Sequence, residues 1–251
     1  MPGFLGGYER FKSRYEVPVL KDQNKEALDT LARRINPFVL RRLKKDVIKE
    51  LPEKIEQVSW CEMEPSQCKT YEQMLALGRR EVLGAYQAQG FHKSRMKILT
   101  VLLRLRQICC HPELAHVKLG HRLAVSAKLN LLKEILQEAV SGGHNILIFS
   151  QFVTMLSIIA EYLKKEKILF EYMDGSTKDR PGAIERFNAA DDVKIFLLSL
   201  KVGGVGLNLT KADTVILYEP WWNPAVEDQA VDRAHRIGQK SAVTAYKLIC
   251  K

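Results

Sequence analysis

Residues 144–173 read HNILIFSQFVTMLSIIAEYLKKEKILFEYM, and this stretch decides the fold class. A short apolar run at residues 144–149 precedes apolar side chains at helical spacing in Val153–Lys165, and a second apolar run follows at residues 169–173. Short apolar runs that alternate with amphipathic helices indicate parallel strands covered on both faces. We therefore predict a strand, a helix and a strand.

The same alternation extends on both sides of this stretch. We expect further strands at residues 193–198, 214–218 and 243–249, and further helices at residues 126–140, 177–188 and 225–235. The predicted fold from about residue 126 onward is α/β, with a doubly wound parallel sheet. Ligands of such sheets bind at the carboxyl ends of the strands, so the loops after the strands are the place to look for function.

The first half of the chain has a different pattern. Residues 24–35 have helical spacing, and Pro37 should end that helix because a proline disfavours α geometry in the residue before it. Residues 54–63 alternate as a strand does, and residues 65–119 carry apolar stripes at spacings of three and four. The apolar stripes of residues 65–119 predict a helical subdomain.

Composition narrows the class of protein. The 251 residues are 46% hydrophobic and 27% charged, which is ordinary for a globular protein, and no stretch resembles a signal peptide or a membrane span. Five cysteines without a regular framework suggest a reducing compartment. The net charge of +10 is compatible with a polyanionic partner such as nucleic acid, or with a basic protein tuned only for solubility.

The segment DQAVDRAHRIGQ at residues 228–239 has the most suggestive spacing. Arg233 and Arg236 are three residues apart, and on a continuous helix they would share one face with Gln229. Two guanidinium groups on one face suit a phosphate, because each offers a planar fork of donors. The alternative is a solvated helix with ion pairs such as Asp232 with Arg236.

Two loops are also candidates. In SLKVGGVGLNLT, residues 199–210, the glycines would let backbone amides approach a phosphate closely, although the loop lacks the third glycine of a dinucleotide fingerprint. In EPWWNP, residues 219–224, Trp221 and Trp222 could stack against a partner or fill a buried corner. A tight turn and buried packing are the respective alternatives.

The order of these motifs resembles the C-terminal helicase motifs of the SWI/SNF family of superfamily-two ATPases. The segments INPFVLRRLKKDV and LRQICCHP are similar to the connecting and helical-protrusion segments of that family. The motifs that carry the resemblance are, in chain order, ILIFSQF, YMDGST, SLKVGGVGLNLT, YEPWWNP and DQAVDRAHRIGQ.

This resemblance implies a RecA-like doubly wound sheet with a helical protrusion. It divides the chain into a basic inter-lobe connecting segment (1–53), the first strand of the C-terminal lobe (54–64), the protrusion (65–122) and the RecA-like C-terminal lobe (123–251). ATP would lie between this lobe and an N-terminal lobe of the same protein, with double-stranded DNA across both lobes.

The resemblance also implies roles for individual residues. Gln229, Arg233 and Arg236 match the motif whose two arginines reach the ATP held by the other lobe. Residues that match nucleotide-binding positions are Gly204, Gly206 and Asn208, and residues that match DNA-contacting positions are Ser150, Gln151, Gly175, Thr177, Arg180, Ser199, Lys201 and Trp222.

The sequence departs from a complete motor of this family in one respect. It contains neither G-x-x-x-x-G-K-[ST] nor a D-E-x-[HQ] box, so we expect the lysine and the Mg²⁺ ligands to lie upstream of residue 1. ATP and Mg²⁺ would be held mainly by the N-terminal lobe, and this piece alone should bind neither and be inactive. A zinc site at Cys109-Cys110-His111 is disfavoured because no second cysteine pair has C-x₂-C spacing.

The candidate functions of this chain are a DNA translocase lobe, a non-catalytic DNA-binding or protein-docking module, and a strand-separating helicase. The intact arginine motif favours the first over the second. Other expected partners are DNA-bound proteins such as nucleosomes or polymerase, and the expected location is the nucleus in a eukaryote or the cytoplasm and nucleoid in a microbe.

Overall fold

The structure is a computed structural model, and it describes residues 3–40, 51–115, 126–202 and 206–251. The chain forms two compact units, Met1–Glu50 and Leu51–Lys251. Two sequence predictions lie outside the described residues: the basic stretch at residues 41–45 and the nucleotide contact at Gly204. The division into segments 1–53, 54–64, 65–122 and 123–251 stays a prediction.

The first unit is helical where it is described. Helix α1 (Tyr8–Phe11) continues through a π turn (Lys12–Glu16) into α2 (Val17–Leu20). Helix α3 (Lys25–Ile35) begins where the Asn24 side chain accepts a hydrogen bond from the Ala27 amide at 3.1 Å. It gives way to a 3₁₀ turn at Asn36–Phe38, as Pro37 predicts.

The second unit is built on a six-stranded sheet in the order β1-β6-β5-β2-β4-β3, and every pair of neighbours is parallel. Each predicted apolar run is a strand. The strands are β1 (Lys54–Cys61), β2 (Ile146–Ser150), β3 (Phe170–Met173), β4 (Ile195–Ser199), β5 (Thr214–Leu217) and β6 (Val243–Cys250).

Alternate side chains of the apolar strands supply two cores, because successive residues of a strand point to opposite faces. The helices that cover the faces are α5 (Ala127–Ser141), α6 (Val153–Lys165), α7 (Arg180–Ala189) and α8 (Pro224–Val231). Ile146 and Ile148 of β2 join the core under α5 and α6, whereas Leu147 and Phe149 join the core under α7 and α8. The prediction of a doubly wound parallel sheet is confirmed.

The predicted helical subdomain is a long helical segment, α4 (Pro65–Cys110), that folds back on itself at Gly90. Gly90 has φ 73° and ψ 177°, a conformation that a residue with a Cβ rarely adopts. The two arms pack against each other: the Gln67 amide donates to the Ile108 carbonyl at 2.7 Å, and Gly78 lies against Val101. The absence of a side chain at Gly78 therefore sets how closely the arms approach.

One helix prediction is wrong at its end. Helix α8 ends at Val231, four residues before the predicted His235. Beyond it the backbone tightens, since the amides of Arg233 and Ala234 bond to carbonyls three residues earlier, at 3.2 and 3.0 Å. Arg233 and Arg236 therefore lie on a series of turns, and their nearness does not come from one helix face.

A second helix starts later than predicted. Helix α7 begins at Arg180, not at residue 177, because the Asp179 side chain caps it by accepting from the Gly182 amide at 2.9 Å. The preceding residues form a turn closed by Asp174, whose carboxylate accepts from the amide and hydroxyl of Ser176 at 2.8 and 2.6 Å.

Replacement of Gly78 tests the packing of the two arms. A Cβ at Gly78 would lie 2.4 Å from Cγ1 of Val101, whereas a Cβ at Gly84 would meet nothing within 4 Å. Both glycines are helical, so the helix propensity gained with alanine is similar and cancels in the comparison. Gly78→Ala should have a free energy of unfolding about 1–3 kcal/mol below that of Gly84→Ala, the usual cost of overpacking. Urea denaturation of the two variants measures this difference, and equal stabilities would contradict the packing.

Candidate functional site

The loops at the carboxyl ends of the strands contain most of the predicted DNA contacts. Ser150 ends β2 and Ser199 ends β4, so these two lie at the same edge of the sheet. Gly175 and Thr177 follow β3, and Trp222 follows β5. Because all the strands are parallel, the fold collects residues from distant parts of the sequence along one edge.

These residues differ in what they offer to a partner. Trp222 is 68% exposed, which excludes buried corner packing for this tryptophan. Lys201 is exposed, and Gln151 is half-buried. Ser150 and Ser199 are buried at 0% and 2% exposure, so their hydroxyl groups are not available to an outside partner in this conformation.

Arg180 is held in the loop after β3. Its Nε donates to the Thr177 carbonyl at 3.3 Å, and its Nη2 donates to the Gly175 carbonyl at 3.4 Å. Three predicted contacts, Gly175, Thr177 and Arg180, therefore form one small hydrogen-bonded unit. The guanidinium is partly exposed beside a glycine that lacks a side chain to shield the backbone.

The turns after α8 contain Arg233 and Arg236, and we name residues 232–238 the arginine turn. Arg233 is half-buried and Arg236 is exposed. Burial lowers the pKa of Arg233, the positive charge of Arg236 lowers it further, and the negative charge of Asp232 acts in the opposite direction. The two arginines are thus close enough to repel each other.

The Nε atom of Arg233 is buried and finds no hydrogen-bond partner among the described residues. Among the described residues, no salt bridge joins the guanidinium group of Arg233 or of Arg236 to a carboxylate. The continuous helix of the alternative interpretation does not extend through Asp232 and Arg236, because α8 ends at Val231. A buried donor without a partner costs free energy.

Backbone contacts tie the arginine turn to the loop after β4. The Leu209 amide donates to the Arg233 carbonyl at 3.2 Å. The buried Gln239 side chain donates to the carbonyls of Ala212 and Ala234 at 2.7 and 3.1 Å. Gly206 and Asn208, predicted nucleotide contacts, are exposed in this loop, and Gln229 is exposed on α8.

A buried carboxylate, Glu219, joins the ends of β2 and β5. It accepts from the Ser150 hydroxyl at 2.9 and 3.1 Å and from the Gln151 amide. Burial raises its pKa to about 7, against the opposing effect of those hydrogen bonds and of the charges on Lys128 and Arg106. The role of Ser150 in this structure is therefore to hold Glu219.

Sequence reasoning missed Glu219 and Arg106 as site residues. The Nη2 atom of Arg106, on the returning arm of α4, donates to the Pro220 carbonyl at 2.7 Å. Its guanidinium lies 5.5 Å from the ring centroid of Trp221 and 5.0 Å from that of Trp222. For Glu219 the signal was a carboxylate directly after an apolar strand, but for Arg106 no local pattern indicates the contact.

All five cysteines are free, and the thiols of Cys61 and Cys250 lie 3.5 Å apart across β1 and β6. In residues 3–40, 51–115, 126–202 and 206–251, three His, Cys, Asp or Glu side chains nowhere come together as metal ligands would. Every helix in those ranges is too short or too polar to span a bilayer.

The fold and the site define a RecA-like α/β lobe of the helicase type. A family model described as "Helicase conserved C-terminal domain" matches residues 127–238, and one described as "SNF2-related domain" matches residues 1–114. The chain belongs to the SWI2/SNF2 family of ATP-dependent helicases. The resemblance inferred from the motifs is confirmed.

Individual relatives support this membership. The Sulfolobus solfataricus SWI2/SNF2 ATPase C-terminal domain is 35% identical with a TM-score of 0.61, and the match covers 79% of this chain and 80% of that one. The ATPase core from the same organism, in complex with dsDNA, is 37% identical with a TM-score of 0.65, over 99% of this chain and 52% of that one. An "uncharacterized ATP-dependent helicase" of Mycoplasma pneumoniae is 39% identical over all of this chain, which spans 23% of that relative's length.

The raised pKa of Glu219 predicts how stability depends on pH. Because the folded-state pKa of about 7 lies above the ordinary 4.5, the folded protein keeps this proton to higher pH than the unfolded chain does. The contribution of Glu219 to the free energy of unfolding should therefore fall by about 3 kcal/mol as the pH rises from about 4.5 to about 7, at about 1.36 kcal/mol per pH unit. Glu219→Gln should abolish this fall, because its amide can still accept from Gln151 and donate to Ser150.

Denaturant unfolding at several pH values between these limits measures the effect. The exposed Glu161→Gln on α6 is the matched control and should keep the slope of the unsubstituted protein. The assignment fails if the Glu219→Gln variant shows the same pH dependence as that control.

Proposed function

We propose that this chain is the C-terminal motor lobe of an ATP-dependent double-stranded DNA translocase. It supplies arginine fingers to ATP that is held mainly by an N-terminal lobe, and it supplies part of the DNA track. The chain alone is inactive in this proposal, because the sequence lacks a P-loop and an acidic box.

The single observation that carries the proposal is the state of Arg233. Its Nε is buried without a partner in the described part of the chain, and its pKa is lowered by burial and by neighbouring Arg236. Two neighbouring positive charges, one of them with a buried donor that lacks a partner, destabilise the folded lobe. Unfavourable electrostatics of this kind are typical of ligand-binding sites. A phosphate group would pair with the accessible guanidinium nitrogens of both arginines, whereas an internal carboxylate would have made the two arginines merely structural.

The residues of this lobe would contribute orientation and charge. MgATP supplies the phosphoryl group that is transferred to water, and Arg233 and Arg236 would stabilise the negative charge that grows on it. Gln229, which is exposed on α8 shortly before the arginine turn, would orient a polar group of the ligand. Gly206 and Asn208 lie on the loop that bonds to Arg233 through Leu209, so they would respond to the same ligand.

The DNA track is proposed along the carboxyl edge of the sheet. Lys201 and the hydrogen-bonded unit of Gly175, Thr177 and Arg180 offer donors and positive charge to phosphate groups. Trp222 presents an exposed ring in the loop after β5, at the same edge of the sheet. Contacts to the phosphate backbone carry no sequence information, so little sequence preference is expected. Ser150 and Ser199 would act from beneath this surface by holding the loops.

Loss of either arginine should abolish coupled ATP hydrolysis. In a protein that contains both lobes, Arg233→Ala and Arg236→Ala should each lower DNA-stimulated ATPase by a factor on the order of 10³–10⁵, as loss of an arginine finger does in related enzymes. Colourimetric phosphate release at saturating DNA measures it.

The control for this experiment is Arg186→Ala. Arg186 is an exposed arginine near the end of α7, where it pairs with Glu171 at 2.8 Å, away from the arginine turn in sequence and in contacts. It should retain nearly full activity. Retention of more than about a tenth of the rate in either arginine-turn variant would refute the finger assignment and favour a non-catalytic binding module.

Alanine substitutions of Lys201 and of Trp222 should weaken DNA binding in different ways. For Lys201→Ala, the slope of log affinity for duplex DNA against log salt should become shallower by about 0.9, because one phosphate contact is lost. Trp222→Ala should weaken binding by a similar factor at every salt concentration, roughly tenfold for about 1.4 kcal/mol of lost apolar contact. Fluorescence anisotropy with labelled duplex measures both quantities.

Lys165→Ala provides the matched control for the salt experiment. Lys165 is exposed in the last turn of α6, at the amino edge of the sheet. An unchanged slope in Lys201→Ala, or a change of equal size in Lys165→Ala, would remove Lys201 from the track. A strand-displacement assay with the two-lobed protein distinguishes translocation from strand separation, and no displacement is expected.

A further inference from the structure

The returning arm of α4 reaches the proposed DNA surface through one residue. Arg106 donates from Nη2 to the Pro220 carbonyl at 2.7 Å. Its guanidinium lies 5.0 Å from the centroid of the Trp222 ring and 5.5 Å from that of Trp221. A planar guanidinium can stack on rings while it donates in its plane, which an ammonium group cannot do.

The same guanidinium contacts the loop after β2. With its amide oxygen facing Arg106, Gln151 accepts hydrogen bonds from Nη1 at 3.3 Å and from Nη2 at 2.9 Å. The backbone amide of Gln151 donates to Glu219, and the positive charge of Arg106 also favours the ionised form of Glu219. Two predicted DNA contacts, Gln151 and Trp222, therefore share one neighbour on a distant helix.

Without Arg106, little in this network would fix the exposed ring. Trp222 is 68% exposed, and an exposed side chain without a fixed neighbour keeps its rotamer freedom. The neighbouring Trp221 is held through its backbone, whose amide donates to the buried Glu227 at 2.7 Å. That bond fixes the backbone of the loop and does not act on the Trp222 side chain.

We infer that Arg106 is a positioning residue for DNA coupling: it orders the Trp222 ring and the Gln151 amide before DNA binds. This inference rests on the proposed function, because it concerns the DNA surface of the same lobe. The helical protrusion would thus take part in DNA engagement through its root, without touching DNA there. Ordering in advance improves affinity because the ordering entropy is not lost on binding.

The test uses the two-lobed protein and compares Arg106→Ala, Arg106→Lys and Trp222→Ala. Arg104→Ala is the matched control, because Arg104 is exposed on the same helix two residues away. Arg106→Ala should raise the DNA concentration for half-maximal ATPase about tenfold, for the loss of a stacked cation and one hydrogen bond, with kcat at saturating DNA within about twofold. Arg104→Ala should change neither value by more than about twofold.

Two further comparisons separate positioning from other roles. The double variant Arg106→Ala/Trp222→Ala should be worse than Trp222→Ala by clearly less than the effect of Arg106→Ala alone, because Arg106 acts in part through Trp222 and in part through Gln151. Additive effects would overturn the inference. Arg106→Lys should resemble Arg106→Ala with an unchanged salt slope. Full activity in Arg106→Lys, together with a slope about 0.9 shallower in Arg106→Ala, would show instead that Arg106 binds phosphate directly.

A spectroscopic measurement distinguishes failure of this inference from failure of the proposed function. This measurement uses the 251-residue chain with Trp60→Phe, in which the remaining indoles are Trp221 and Trp222. Time-resolved fluorescence anisotropy should show faster local depolarisation in Arg106→Ala and in Arg106→Lys than in Arg104→Ala, without DNA or ATP. Equal depolarisation overturns the positioning role even if Arg233→Ala abolishes ATPase. Faster depolarisation upholds the ordering even if Arg233→Ala retains ATPase and the proposed function falls.

Discussion

The parallel pairing of β2 with β4 on one side and β5 on the other is the constraint on which the rest of the structure depends. It places the carboxyl ends of three buried strands side by side, so the polar residues after each strand meet at one edge. Glu219 is the chemical expression of this pairing, because it bridges the ends of β2 and β5 through Ser150 and Gln151. A carboxylate that is fully buried with a pKa of about 7 would be costly anywhere that such hydrogen bonds were not available.

Two unfavourable electrostatic features are retained in this lobe, and they differ in kind. Glu219 is satisfied within the lobe, so its cost is offset by internal hydrogen bonds and its effect is to lock two loops together. The Nε of Arg233 is not satisfied by any residue in the described ranges. The first feature is therefore structural support, and the second is the one on which the proposed arginine fingers rest.

The strands could be predicted from sequence because their apolar runs are short, continuous and bounded by polar turns. The end of α8 could not, because Ala230, Val231 and Ala234 continue the apolar spacing of a helix past residue 231. Beyond that residue the carbonyls bind partners outside the helix: the Leu209 amide donates to Arg233, and the Gln239 side chain donates to Ala234 and to Ala212 in another loop. The contacts to the other loop are tertiary, so the periodicity of this one segment does not reveal them.

The difference between local sequence pattern and tertiary contact also explains which site residues could be predicted from the sequence. Gln151, Arg180, Lys201, Trp222, Arg233 and Arg236 lie within motifs, so a resemblance could point to them. Arg106 also lies in a matching segment, LRQICCHP, yet its contact to Pro220 spans 114 residues of sequence and no spacing rule connects them. Contacts of this kind become visible only when the fold brings helix and loop together.

The hydrogen bond from Leu209 to Arg233 gives the lobe a direct link between its two proposed surfaces. Lys201 and Leu209 belong to the same loop after β4, and Arg233 belongs to the arginine turn. A displacement of the arginine turn toward a bound anion would stretch this 3.2 Å bond unless the loop moved with it. A buried backbone donor left without its acceptor costs about 1–3 kcal/mol, so movement of the loop is the less costly response. The packed core beneath resists deformation, and motion at this edge is therefore confined to the loops that carry the proposed contacts.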